Sequence, residues 1–177
     1  QLQSGLPREV GALVIAGLLL LSRKLSSRAM VGAVDWHLLV LFACLFTITA
    51  AFASTGHTEA AFAWLAANGL LPDRLSVLAP LTLVASNTVG NVPAVILLLT
   101  AWAQPSAEGL YGLALLSTLA GNLLIVGSLA NIIVAERAAA SGVRLGFAEH
   151  ARTGIPVTLL SMAAACLWLW GVGLMGW

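Results

Sequence analysis

The stretch Ser86-Asn87-Thr88-Val89-Gly90-Asn91-Val92-Pro93 constrains the fold more than any other feature of this chain. It separates two apolar arms, Leu75–Ala85 and Val92–Trp102, each eleven residues long and free of charge. At a rise of about 1.5 Å per residue, an eleven-residue helix covers ~16 Å, half of a ~30 Å hydrocarbon core. Two half-length helices meeting at a polar tip predict a hairpin that enters a bilayer, turns near its middle and returns. Polar non-helical backbone at that depth is tolerated only where protein or a watery cavity surrounds it. The tip therefore predicts a binding site.

Composition agrees with a membrane setting. The chain is 60% hydrophobic and 8% charged, where a soluble domain carries about 25% charged residues. The apolar stretches are far longer than barrel strands and do not alternate, which predicts an all-α integral membrane protein. A net charge of +1 and the lack of a basic tract argue against nucleic acid as a partner. Cys44 and Cys166 lie inside apolar stretches and imply neither a disulfide framework nor a metal site. With no signal peptide and no methionine at position 1, the expectation is a fragment or a processed product.

Five further segments complete the map. Val10–Ser22 is a short apolar stretch whose flanking Arg8, Arg23 and Lys24 must snorkel. Trp36–Thr58 is long enough to cross, and Asp35-Trp36 reads as a helix cap beside an interfacial aromatic. Ala60–Leu71 is too short to span and is expected to lie in the interface. Gly109–Ala135 is uncharged but interrupted at Gly121-Asn122 and at Gly127–Asn131, predicting a helix that breaks near Gly127 and restarts near Asn131. After a polar loop over Glu136–Arg152, Thr153–Trp177 is a full span with Pro156 in its first turn. If Ala60–Leu71 does not cross, six of the eight Lys and Arg residues fall on one side and Arg8 and Arg74 on the other. By the positive-inside rule this puts the loops after the first and before the last span in the cytoplasm, and the C-terminus outside.

Two helix breaks at mid-membrane depth form the candidate site. The second hairpin arm is expected to begin near Thr88 and the second half of the broken helix near Asn131. Each start exposes unpaired N–H groups and the positive end of a helix dipole. Both can address one anion, with Ser86, Asn87, Thr88, Ser128 and Asn131 adding donors. The first halves end near Ala85 and Val126, and their free carbonyls suit a hard cation such as sodium. A fixed charge at mid-bilayer costs at least ~2.5–3.5 kcal/mol, and neither break contains one. A site of neutral dipoles can release its ligand and move empty, which suits transport.

These residues resemble the second half of the ion transporter superfamily, which includes arsenite permeases, sodium–proton antiporters, and citrate, dicarboxylate and sulfate carriers. Ser86-Asn87-Thr88 matches the hairpin-tip Ser-Asn-Thr of the dicarboxylate carriers. Asn91-Val92-Pro93 resembles the Asn-x-Pro of the arsenite-permease and antiporter branch, which adds Asn91 to the substrate residues. Gly121–Asn131 resembles the broken-helix motif, in which Gly127 offers a carbonyl to the cation and Ser128 faces the substrate. Where the dicarboxylate carriers have Thr-Pro-Pro, this chain has Ser128-Leu129-Ala130.

The resemblance covers the chain from about Gly32 onward. It implies the C-terminal inverted-repeat half of an elevator-type transporter, with one re-entrant helical hairpin and one broken transmembrane helix. Residues 1–74 would be the scaffold part. Residues 75–177 would be the transport part, made of hairpin 75–103, broken helix 109–140 and last span 153–177. The expected activity is secondary active transport of a small anion or oxyanion coupled to sodium or protons. The alternatives are an arsenite efflux permease, a sodium–proton antiporter, or a half-transporter subunit inactive without a partner half. Expected substrate residues are Ser86, Asn87, Thr88, Asn91, Ser128 and Asn131; expected cation residues are Asn87, Thr88, Gly127 and Asn131. No cofactor is expected beyond a bound sodium ion. The expected setting is a prokaryotic inner membrane, as a homodimer through the scaffold, with the first half of the site supplied from elsewhere. No span carries paired carboxylates, a histidine pair or a nucleophile turn, so no enzyme is expected. Asp35 reads as a cap, His37 as interfacial, and His57 and His150 as loop residues without a role.

Overall fold

In a computed structural model, the structure describes residues 7–21 and 26–177, with the side chain of Arg8 outside the description. Arg23, Lys24 and the expected segment end at Ser22 also lie outside the described residues. Every regular element among the described residues is helical. The order is α1 (Arg8–Leu20), α2 (Ser27–Gly32), α3 (Trp36–Ala53), α4 (His57–Ala67), α5 (Leu75–Val89), α6 (Asn91–Ala101) and α7 (Ala107–Ala120). A 3-10 turn (Ile125–Gly127), α8 (Leu129–Ala140) and α9 (Phe147–Gly171) follow. Among the described residues, two helices are long and apolar enough to cross a membrane: α3, with mean hydropathy 2.0, and α9, with 1.6.

The chain divides inside α3, between Cys44 and Leu45. In the first unit, Ser26 caps α2 by accepting from the Ala29 N–H at 3.2 Å. Asp35 serves as the expected cap of α3, its Oδ1 accepting from the Leu38 N–H at 3.3 Å. The second unit is built around α7, which packs on α5, α6 and α9. Its buried face carries Gly109, Gly112, Ser117 and Ala120 beside Leu113 and Leu116. In a bilayer, association gains little from apolar burial, and small residues let helices approach closely enough for dispersion to hold them. Leu75 and Leu78 of α5 and Leu169 of α9 complete the core, each at most 1% exposed.

Several expected boundaries move. The first hairpin arm does not stop at Ala85. α5 runs through Ser86-Asn87-Thr88 to Val89, with Asn87 and Thr88 donating to carbonyls of α5 itself and Ser86 to the Ser117 carbonyl of α7. The interruption is Gly90, at φ 91° and ψ 151°, a region open only to glycine. α6 therefore starts at Asn91 rather than near Thr88, with Pro93 in its first turn, where no N–H is missed. α3 ends at Ala53 instead of Thr58. Ser54 and Thr55 turn their hydroxyls onto the carbonyls of Ala51 and Phe52, and Gly56, at φ 76°, starts α4.

α7 stops at Ala120, so the first half of the broken helix ends before Val126, while the restart at Leu129 lies close to the expected Asn131. The loop expected over Glu136–Arg152 shrinks to residues 141–146, between Ser141 and Gly146. Pro156 is consequently well inside α9 and not in its first turn. The last span also ends early. After Gly171 the chain turns back at Gly173, Met175 buries beside Gly112 and Leu78, and the Gly176 carbonyl accepts from the Leu75 N–H at 2.9 Å. This strap satisfies an otherwise orphan donor at the start of α5 and ties α5 to α9.

Met175→Ala is expected to destabilise the second unit by about 2–4 kcal/mol, as for other buried Met truncations. Leu160→Ala, at a position 72% exposed, should change little. Thermal melting of both variants in the same lipid or detergent checks the contrast.

Candidate functional site

The two chain breaks meet through one side chain. Asn87, in the last turn of α5, sends Nδ2 to the carbonyl of Ala120 at 2.8 Å and receives the N–H of Leu124 on Oδ1 at 3.1 Å. In an uninterrupted helix, the Leu124 N–H would bond the Ala120 carbonyl directly. The Asn87 carboxamide thus inserts into the ladder as an extra amide and ends α7 there. The second Nδ2 hydrogen goes to Leu83 O at 2.8 Å, so both Asn87 donors are engaged.

The next two carbonyls of the break are also taken by side chains. Asn131 Nδ2 donates to Gly121 O at 3.0 Å. His150 Nε2 lies 3.1 Å from Asn122 O and donates to it as the Nε2–H tautomer or the imidazolium. Three successive carbonyls that a continuing helix would have satisfied are held from α5, α8 and α9. Sequence reading missed His150, which sits in the first turns of α9 rather than in a loop. A histidine 28 positions from its partner gives no local signal.

Close backbone approach fixes the rest. A Cβ added at Gly127 would collide with the Asn87 carboxamide oxygen and sit 2.8 Å from Gly121 O. A Cβ at Gly121 would lie 3.3 Å from the Cβ atoms of both Asn91 and Ser128, and 3.1 Å from Gly127 O. The starts of α6 and α8 therefore meet across Gly121.

Their first N–H groups remain open. Val92 bonds Asn91 Oδ1, Pro93 has no N–H and Ala94 bonds Gly90 O, which leaves Asn91 N–H. In α8, Asn131 and Ile132 N–H bond Ser128 O. The Leu129 and Ala130 N–H groups have no protein partner among the described residues. Ser128, 8% exposed, makes no side-chain capping bond. Neither break contains a charged side chain.

The expected site residues thus divide. Asn87, Asn91, Gly127, Ser128 and Asn131 converge around Gly121, although Asn87 and Asn131 use amide donors on backbone. Ser86 is fully buried, its hydroxyl 3.4 Å from Ser117 O between α5 and α7. Thr88 is exposed and bonds Val84 O in its own helix at 2.7 Å. Among the described residues no group of three or more His, Cys, Asp or Glu could hold a metal ion.

Comparison with known proteins gives the family. The citrate transporter family model matches residues 4–111, more than half of the chain. The chain belongs to the citrate transporter family. It is 35% identical over 140 residues to the arsB transporter of Dictyostelium discoideum, covering 73% of this chain and 24% of that protein. It is 34% identical over 143 residues to the silicon efflux transporter LSI3 of Oryza sativa subsp. japonica, covering 73% and 30%. An uncharacterized transporter of Mycobacterium tuberculosis is 29% identical over 170 residues, covering 90% and 40%. The chain spans between 24% and 40% of the length of these relatives. No solved structure matches it. As a member of a citrate transporter family within the ion transporter superfamily, it is a membrane protein. The family and these relatives are transporters, and nothing in them indicates a catalytic activity.

For this citrate transporter family chain, Asn87→Ala should leave the Leu124 N–H without its partner and the Ala120 carbonyl with the Leu123 N–H alone, at 3.2 Å. A buried orphan donor costs about 1–3 kcal/mol. Asn87→Asp keeps the acceptor but loses the donors, and should destabilise as well. Chemical denaturation followed through backbone protection of residues 120–127 distinguishes these losses from wild type.

Proposed function

We propose that this chain contributes one half of the binding site of a secondary active transporter for a small anion or oxyanion, coupled to sodium or protons. The meeting of the α6 and α8 starts at Gly121 supports this most, with no protein partner for the N–H groups of Asn91, Leu129 and Ala130 among the described residues. Two positive helix ends and the Ser128 hydroxyl favour an oxygen-rich ligand without a buried fixed cation. Asn91 and Ser128 then contact substrate, whereas Asn87 and Asn131 hold the break in shape. For the cation, the Gly127 carbonyl, the Thr88 hydroxyl and the unused lone pairs of Asn87 and Asn131 supply hard oxygen ligands. Ser86 supports the tip from beneath.

α5 and α6 have 15 and 11 residues and reach only ~22 and ~16 Å, short of a ~30 Å core, which supports a re-entrant hairpin. The Met175–Gly176 strap joins α9 to α5 and favours a hairpin, broken helix and last span that slide together in an elevator movement. Residues 1–74 would then act as the scaffold and homodimer contact, with the loop after the first span and the α8–α9 connection on the cytoplasmic side of an inner membrane. Because the relatives are much longer, the other half of the site is expected from the remainder of the protein or from a partner chain.

A second reading, efflux of an oxyacid, gains from the silicon efflux relative. A sodium–proton antiporter is less favoured, because neither break holds a carboxylate.

Uptake and efflux of citrate, sulfate, arsenite and silicic acid by the intact protein in liposomes tests the proposal. At least one should move with a sodium or proton gradient. Ser128→Ala and Asn91→Ala should each weaken its transport by about 10–100-fold, the worth of one hydrogen bond to a charged ligand, without unfolding the protein. Wild-type rates in both variants would remove the site assignment. Silence toward all four solutes under either gradient would remove the anion-carrier reading.

A further inference from the structure

Of the three side chains that hold the open end of α7, two are carboxamides and cannot change charge. The third is His150. Imidazole is the side chain whose charge ordinarily changes between pH 5 and 8. We propose that His150 is a positioning residue that makes the geometry of the helix break sensitive to pH.

His150 reaches Asn122 O from the first turns of α9, at 3.1 Å. One turn later, Gly154 presses on the same loop, where an added Cβ would stand 2.6 Å from Asn122 O and 2.8 Å from Leu123 O. The histidine and the glycine together dock α9 on the break. Residues 141–146 are the short connection from α8 back to α9, so the brace closes a circuit that includes the α8 start. An open cleft of about 440 Å³ runs along this contact and is lined by Asn122, Glu149, His150, Gly154 and Val157. The ring therefore borders the cleft rather than closed protein interior.

The charge inventory around the ring is short. Residues 121–128 of the break contain no titratable side chain. Glu149 is the charged side chain on the cleft wall. Arg152 lies two positions along α9 and is exposed, and Arg144 lies in the connection from α8.

The sign follows from donor count. An imidazolium carries a proton on both nitrogens and must donate from Nε2; neutral imidazole donates only as the Nε2–H tautomer. A charge-assisted bond to a carbonyl is also the stronger one. Lower pH tightens the brace, and higher pH loosens it. The link from this brace to transport rests on the reading of the break as the binding site; the brace itself does not.

Hydrogen–deuterium exchange on the intact protein in lipid nanodiscs separates the two. After correction for intrinsic exchange, protection of the amides of residues 122–127 should rise about fivefold between pH 8 and pH 5.5 in the wild type. His150→Gln, which keeps a donor and loses the titration, should show protection independent of pH. His150→Ala should show low, pH-independent protection there, while α3 exchange stays at the wild-type level. The same pH dependence in His150→Gln as in the wild type would overturn the proposal, as would flat protection in the wild type. Neither result depends on whether any solute is transported, so a failure of the carrier reading would be seen separately.

Discussion

One carboxamide organises the second unit of this protein. Asn87 stands between the Ala120 carbonyl and the Leu124 N–H, the pair that would have carried α7 onward. By satisfying both, it ends the helix without leaving a buried polar group unpaired. A broken helix in a bilayer needs such compensation, because lipid offers no hydrogen bonds. The same insertion pulls the last turn of α5 against the break. It requires a glycine at 127, since any side chain there would collide with the Asn87 oxygen.

The consequences spread outward from that bond. With α7 stopped at Ala120, the carbonyls of Gly121 and Asn122 need partners and find Asn131 and His150. α8 is positioned by the first and α9 by the second. Gly90 then lets α6 restart beside Gly121, where it meets the start of α8; among the described residues the Asn91, Leu129 and Ala130 N–H groups have no protein partner. Neither break contains a charged side chain, and a fixed charge at mid-bilayer would cost at least ~2.5–3.5 kcal/mol.

Much of this was legible in the sequence. The polar interval between charge-free arms marks the hairpin, and the Gly127–Asn131 cluster marks the second break. The family resemblance carried by Ser86-Asn87-Thr88 agrees with membership of the citrate transporter family. The helix boundaries were less legible, for a definite physical reason. Ser, Asn and Thr look like breakers locally, yet here they stabilise the end of α5 because their partners are available. Two of the three partners of Asn87 lie 33 and 37 positions away. His150 was unreadable in the same way, since only the folded chain shows that its ring meets a carbonyl across 28 positions. The strap through Met175 was hidden because an apolar tail after a span reads as more span.

Proximity of the two helix starts is the central claim, and a cross-link tests it most directly. Asn91→Cys and Ser128→Cys would be combined in the intact protein with Cys44→Ser and Cys166→Ser, which remove the two cysteines of this chain. The two Cβ positions each lie 3.3 Å from one point above Gly121, so they are no more than twice 3.3 Å apart, a separation that a short bifunctional thiol reagent bridges. Such a reagent, applied in liposomes, should join residues 91 and 128 nearly completely, as read by mass spectrometry of the linked peptides. Labelling of both positions without a link between them would mean that the two helix starts do not meet, and the shared site would fall with them.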